Sequence, residues 1–276
     1  MKYIVAVSGG VDSMVLLDMM VRAGGHELIV AHFDHGIRSD SRLDAQLVRD
    51  TALRHGLVFE TRREELGPSA SEAYARDRRY AFLRGLADTH KATIVTAHHL
   101  DDLVETVAIN VNRGTGWRGL AVLDSGLSRP LIDVEKSELL AYARRHGIEW
   151  REDSTNTSSA YLRNRIRVHT HLLPSDTKRE LRALHAQQKA LKREITSEIY
   201  ALIGVGPWYS RYFFTHIPNR VAVECLRGLV DAQLTRPQLE RALLAVKTAQ
   251  PKSSYHVGAG LTFDFTTRNF SLSLLK

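Results

Sequence analysis

The sequence predicts an α/β protein: a doubly wound, mostly parallel sheet, then a helical extension and a small C-terminal α+β domain. Three observations predict it. Short β-branched runs alternate with helix-length segments as far as Asn112. Polar residues of the kinds that do chemistry fall just after the runs ending at Val7, Phe33 and Ala97, where a parallel sheet places its ligand. Near residue 200 the texture changes, ending in an alternating, β-rich tail. The expected division is residues 1–200, with the helical extension over about 135–200, and residues 201–276.

The run Lys2–Val7 (KYIVAV) is β-branched and too short for a free-standing helix, so it reads as the first strand. Val11–Ala23 is apolar on most sides, as a helix packed against a sheet must be. Glu27–Phe33 and Leu57–Thr61 read as strands, with a helix over Ser41–His55 between them. Ser69–His90 reads as a long helix, Ala92–Ala97 as the fourth strand and Leu100–Asn112 as the fourth helix. The glycine-rich loop RGTGWRGL follows, then a short helix over Val134–His146. A polar turn, DSTNTSS, is placed to cap the helix that carries RNRIR. Pro174-Ser175-Asp176 opens a long, charged, amphipathic helix to about Leu202. Leu226–Val246 reads as helical, with Thr235 as a cap before Pro237. Tyr255–Leu274 alternates like a β-hairpin or small sheet.

At 276 residues with 43% hydrophobic and 25% charged residues, the composition excludes a disordered chain and a fibre. The apolar runs are strand-sized, far short of the ~20 residues a membrane span needs, so no membrane partner is expected. The N-terminus is too brief in its apolar run for a signal peptide, and a cytoplasmic enzyme is the expectation. The one cysteine, Cys225, allows neither a disulfide framework nor a cysteine-based zinc site. Net charge is +7, and from Arg163 to Glu194 nine Lys/Arg face three Asp/Glu, which suits either a solvated helix face or a polyanion.

Three segments carry the chemistry. Ser8-Gly9-Gly10-Val11-Asp12-Ser13 joins a strand to a helix. Its adjacent glycines let the backbone approach an anion, and the helix start adds N–H groups and a positive dipole end. It ends neither in the Gly-Lys-Ser/Thr of a Walker loop nor in a dinucleotide GxGxxG. His32-Phe33-Asp34-His35-Gly36-Ile37-Arg38 follows the second strand. No third ligand with metal spacing lies near it, so Asp34 and His35 read either as a polar turn or as facing a nucleotide, with Arg38 toward phosphate. In Thr96-Ala97-His98-His99-Leu100-Asp101-Asp102-Leu103-Val104-Glu105, the acids Asp102 and Glu105 share one helix face. They could hold Mg²⁺ or an ammonium, with His98 on a phosphate, although acids in a first helical turn need no function.

SGGVDS resembles the pyrophosphate loop of the N-type ATP pyrophosphatases, the PP-loop superfamily with a Rossmann-like fold. Taken with HFDHGIR, SEAYARDRRYAFL, AHHLDDLVET, RGTGWRGL, Arg129-Pro130-Leu131 and RNRIR, the chain resembles the tRNA(Ile)-lysidine synthases in their compact form, over about residues 3–170. The resemblance implies a ligase that joins L-lysine to C2 of the wobble cytidine in CAU-anticodon tRNA(Ile), using ATP and Mg²⁺ and releasing AMP and pyrophosphate. It implies that Ser8, Gly9, Gly10, Val11, Asp12 and Ser13 cradle ATP, and that Asp12 and Asp34 contact nucleotide and Mg²⁺. Arg78 and His98 would stabilise charge on the α-phosphate. Asp102 and Glu105 would receive the lysine, and Arg163 and Arg167 its carboxylate or RNA phosphates. Trp117 reads as a core residue or as a platform for a base. The tail 201–276 would bind tRNA or substrate, where many members carry two domains. A homodimer is compatible with the sequence. The rival expectations are a tRNA thiolase, which needs a well-placed thiol whereas Cys225 lies in the tail away from every motif, and a nonenzymatic ATP-binding module, which needs no acids at 102 and 105.

Overall fold

The computed structural model describes residues 1–36, 41–67, 70–123, 126–152, 162–204, 206–230 and 234–274, with the backbone alone at 162–164. Arg38, the DSTNTSS turn and the side chain of Arg163 lie outside the described residues. The chain divides into two compact units, Met1–Lys189 and Ala190–Lys276.

In the first unit, strands β1 (Lys2–Ala6), β2 (Glu27–Asp34), β3 (Val58–Arg63) and β4 (Thr93–Val95) form one sheet in the order β3-β2-β1-β4, every pairing parallel. Helices α1 (Val11–Ala23), α2 (Ser41–Arg54) and α3 (Glu72–His90) connect them, and α4 (Leu100–Asn112) follows β4. Side chains alternate across a strand, and both faces here are covered. Val5 and Val30 pack with Met14, Leu16 and Leu17 of α1, whereas Ile4, Ile29 and Ala31 pack with Tyr80 and Leu83 of α3. This is the doubly wound sheet the alternating runs predict.

The order places a topological switch beside β1: β2 lies on one side of it and β4 on the other. Ligands of such sheets bind in the crevice outside the carboxyl ends of the strands flanking that switch. Ser8–Gly10 leave β1 there, and His98–His99 leave β4.

Two further helices close on this edge, α5 (Lys136–His146) and α6 (Leu162–His171). The long α7 (Ser175–Ile203) contains the division between the units. α3 begins at Glu72 rather than Ser69, because the Ser71 hydroxyl accepts the Tyr74 N–H and sets the helix start.

In the second unit, β5 (Trp208–Ser210), β6 (Ser254–Gly258), β7 (Leu261–Phe265) and β8 (Asn269–Leu274) form an antiparallel sheet in the order β5-β8-β7-β6. Helices α8 (Arg211–His216), α9 (Asn219–Leu229) and α10 (Arg236–Thr248) complete it around buried Phe214, Leu226, Leu239, Phe263 and Phe270. The helical stretch expected over Leu226–Val246 is two helices, and Thr235, expected as a cap, is the N-cap of the second. α9 stops at Leu229, and Pro237 lacks the N–H that would continue a preceding helix. Gln238 instead accepts the Thr235 N–H at 2.8 Å and caps a new start.

Candidate active site

The loop after β1 is built around two seryl hydroxyls. The Ser8 N–H donates to Ser13 Oγ at 3.1 Å, and Ser13 Oγ donates to the Gly10 carbonyl at 2.9 Å. Gly9 has φ of +92°, and a Cβ there would meet the Asp44 Cβ at 3.2 Å. Both facts require glycine. Its carbonyl accepts the Arg151 N–H at 3.0 Å, so the peptide is held from outside as well. No side chain caps the first turn of α1, which Gly10 precedes, and that leaves a helix N-terminus suited to an anion.

Asp12 sits in that first turn. Lys136 Nζ lies 2.6 Å from its Oδ1, and His99 Nε2 lies 3.7 Å from its Oδ2. His99 is the N-cap position of α4 and is 6% exposed. Its Nε2 is also 3.4 Å from Asp102 Oδ2, and its Nδ1 is 3.6 Å from Asp101 Oδ2. Burial opposes a charge on this ring, but Asp101, Asp102 and Asp12 outweigh it and raise the imidazole above its ordinary range. The structure thus joins Asp12 of the loop to Asp102 of α4 through one buried histidine.

Asp101 completes the frame. It accepts the Lys136 N–H at 2.8 Å and the Lys178 ammonium at 2.7 Å, and Lys178 also lies 3.5 Å from Glu135. Burial opposes ionisation of Asp101, yet His99, Lys178 and the Lys136 N–H hold its carboxyl far below the usual range. Asp102 accepts the His99 N–H at 3.1 Å, closing a capping box. Glu105, one turn further along α4, is buried, and Arg167 of α6 meets it with Nε to Oε1 at 2.6 Å.

The other expected site residues fall elsewhere along the same edge. His98 is half-buried and shares a hydrogen bond with Thr96 Oγ1 at 2.9 Å. Burial first, then Arg129, Arg76 and Arg79, push its imidazole down to about 4 against the pull of Asp102, so it is neutral at pH 7. Asp34, at the end of β2, accepts from the Gly36 N–H at 2.9 Å and pairs with Arg63 at 2.5 Å. Arg78 forks onto Glu64, Nε to Oε2 at 2.7 Å and a second nitrogen to Oε1 at 2.8 Å. The Glu64 N–H in turn donates to the Asp34 carbonyl. Asp34 and the Arg78–Glu64 pair are thus joined through the backbone beyond β2 and β3, whereas Asp12 and Asp102 meet at His99 beyond β1 and β4, with the Glu105–Arg167 pair one turn further along α4.

Trp117 is half-buried with the Arg118 guanidinium 4.6 Å over its ring. Four of the nine basic residues of this stretch pair with acids of the same unit: Arg167 faces Glu105, Lys178 faces Asp101, Arg179 faces Asp176 and Arg182 faces Asp133. The sequence reading missed His99, Lys136 and Lys178. The doubled histidine was a visible signal for the first. Nothing local marks either lysine, since each reaches a carboxylate many residues away.

Among the described residues, no group of three or more His, Cys, Asp or Glu is arranged for a metal ion. A Mg²⁺ ion carried on nucleotide phosphates needs only one or two protein carboxylates, and Asp12 in the first turn of α1 fits that requirement. Asp34 has its two oxygens on Gly36 and Arg63. No helix among the described residues is long and apolar enough to cross a membrane.

A family model described as a PP-loop domain matches residues 1–175. The chain is 43% identical over 169 residues to a tRNA(Ile)-lysidine synthase of Solibacter usitatus, covering 59% of this chain and 38% of that protein. It is 42% identical over 173 residues to one of Thermus thermophilus, covering 60% of this chain and 34% of that protein. The chain thus spans well under half the length of these curated relatives. A U34-tRNA thiolase of Methanococcus maripaludis shares the fold, with a TM-score of 0.57 and 17% identity over 69% of this chain and 72% of that one.

Proposed function

The chain belongs to the PP-loop domain family, and from that premise we propose that it is a tRNA(Ile)-lysidine synthase. It would use ATP to join L-lysine to C2 of the wobble cytidine of CAU-anticodon tRNA(Ile). The observation that carries this reading is the placement of the glycine loop and the acidic start of α4 on either side of one histidine, at 3.7 and 3.4 Å. A phosphate cradle beside an ammonium-binding acid is what adenylation followed by amine attack requires.

The cytidine O2 attacks the α-phosphate of ATP, and the bond to pyrophosphate breaks. Ser8–Ser13 hold the phosphates through backbone N–H and hydroxyl groups, with Lys136 beside them. Asp12 would hold Mg²⁺, which when bound neutralises charge on the phosphates. Arg78 and His98 are the proposed contacts to the α-phosphate, His98 as a neutral donor. The lysine ε-amine then attacks C2, AMP leaves with the former O2, and a carboxylate takes up the proton. Asp102 is the acid proposed to meet the amine. Glu105 acts with Arg167 already on it, so the pair presents a guanidinium for the substrate carboxylate. Arg163 and the tail 201–276 are the proposed tRNA contacts, and a base must leave its stack to reach the sheet edge. A thiolase reading finds no support in Cys225, which is buried in the second unit.

The test is transfer of radiolabelled lysine to an unmodified transcript of CAU-anticodon tRNA(Ile) with ATP and Mg²⁺. Label in that transcript, absent from initiator tRNA(Met) and from Asp102→Ala protein, is the expected result. Folded protein that transfers no label would sink the proposal.

A further inference from the structure

His99 has no role in the chemistry above, yet its side chain touches both halves of the site. Its ring is enclosed by groups from three helices: Asp12 of α1, Asp101 and Asp102 of α4, and Lys136 of α5, which grips Asp12 from the other side. The contacts close a ring. Asp12 meets His99, His99 meets Asp101, Asp101 accepts the backbone N–H of Lys136, and the Lys136 ammonium returns to Asp12. The His99 side chain is 7% exposed, so a ring displaced on one side has little room to move without shifting the other.

We propose that His99 is a positioning residue that couples the nucleotide site to the amine site, because it bears at once on Asp12 and on Asp102. Resting on the function proposed above, this adds an order to it. A nucleotide that draws the Lys136 ammonium onto its phosphates shifts the Asp12 carboxylate that Lys136 holds, and so releases His99 from it. With Nδ1 still on Asp101, the Nε2 edge of the imidazole then faces Asp102 without Asp12 and orients that acid for the incoming ammonium. Linkage makes the effect reciprocal: lysine must tighten nucleotide binding by the same factor.

The experiment is a binding cycle on the full chain by calorimetry. Lysine affinity is measured with and without α,β-methylene ATP, and analogue affinity with and without lysine. The wild type should show the same factor in both directions, at least about fivefold. In His99→Asn and His99→Gln, which keep a polar group at the cap of α4, the factor should fall to within about twofold of one. A role in stability alone would weaken both ligands and leave the ratio intact. Steady-state kinetics give a second readout: the variants should raise KM for lysine at saturating ATP more than they lower kcat for adenylation. A wild-type factor of one, or folded variants that keep the wild-type factor, would overturn the coupling while leaving the ligase reading standing. Failure of the wild type to bind either ligand would overturn both.

Discussion

Arg167 of α6 lays its guanidinium on the carboxylate of Glu105 of α4, with Nε to Oε1 at 2.6 Å and a second nitrogen to Oε2 at 3.4 Å. Glu105 is 2% exposed, so the pair lies in the interior of the unit. Truncating Arg167 to alanine should cost about 1–3 kcal/mol, the price of a buried acceptor left short of a donor. Adding Glu105→Gln to Arg167→Ala should recover part of the loss. Urea unfolding of the two single variants and the double variant checks this, and strictly additive effects would show that the pair contributes nothing to stability.

Lys178 and Asp101 make a second buried contact at 2.7 Å, with side chains 7% and 4% exposed. Lys178→Met should destabilise by about 3 kcal/mol, since it takes the ammonium from a buried carboxylate and leaves it the Lys136 N–H and His99. Asp101→Asn in the same protein should offset much of that. Thermal melts of the three variants decide it.

The histidines make stability depend on pH in a definite direction. His98 falls from an ordinary 6.5 to about 4 in the folded protein. The unfolded chain therefore binds the proton first, and His98 lowers stability as pH falls from 6.5 toward 4, by up to about 1.4 kcal/mol per pH unit. Burial lowers His32 and His35 too, with the same sign. His99 is raised, and its contribution is full below 6.5 and lost as pH climbs through its folded value. Urea midpoints of wild type and His98→Asn at pH 7 and pH 5 should differ, the variant losing less on acidification. Parallel losses would refute the assignment.

Gly9→Ala places a side chain at φ of +92° and 3.2 Å from the Asp44 Cβ. The strain is worth about 1–3 kcal/mol. Because the loop can relieve it only by moving, binding of an ATP analogue should fall at least tenfold by calorimetry. Unchanged affinity would show that the loop does not hold phosphate in this conformation.

Local chemistry was enough to predict much of the first unit. β-Branched runs mark β1 and β2, and the apolar surroundings of Val11–Ala23 mark a helix against a sheet. The glycine loop was legible as well, because its demands on φ and on backbone approach are met within six residues. Single caps decided what propensity left open: Ser71 starts α3, and Thr235 with Gln238 divides the helical stretch after Leu226.

Residue types and spacing by themselves determined the class of sheet, the edge where the candidate residues gather and the acids on α4. Only the tertiary structure decided which cation each acid meets. Asp12 takes Lys136, Asp101 takes Lys178 and Glu105 takes Arg167, across separations of 124, 77 and 62 residues. Hydrophobic period and capping act over a few residues and are written in the local sequence. An ion pair in a buried site is chosen by which helices the sheet brings together, and the burial of His99 among three carboxylates appears only once the chain has closed on itself.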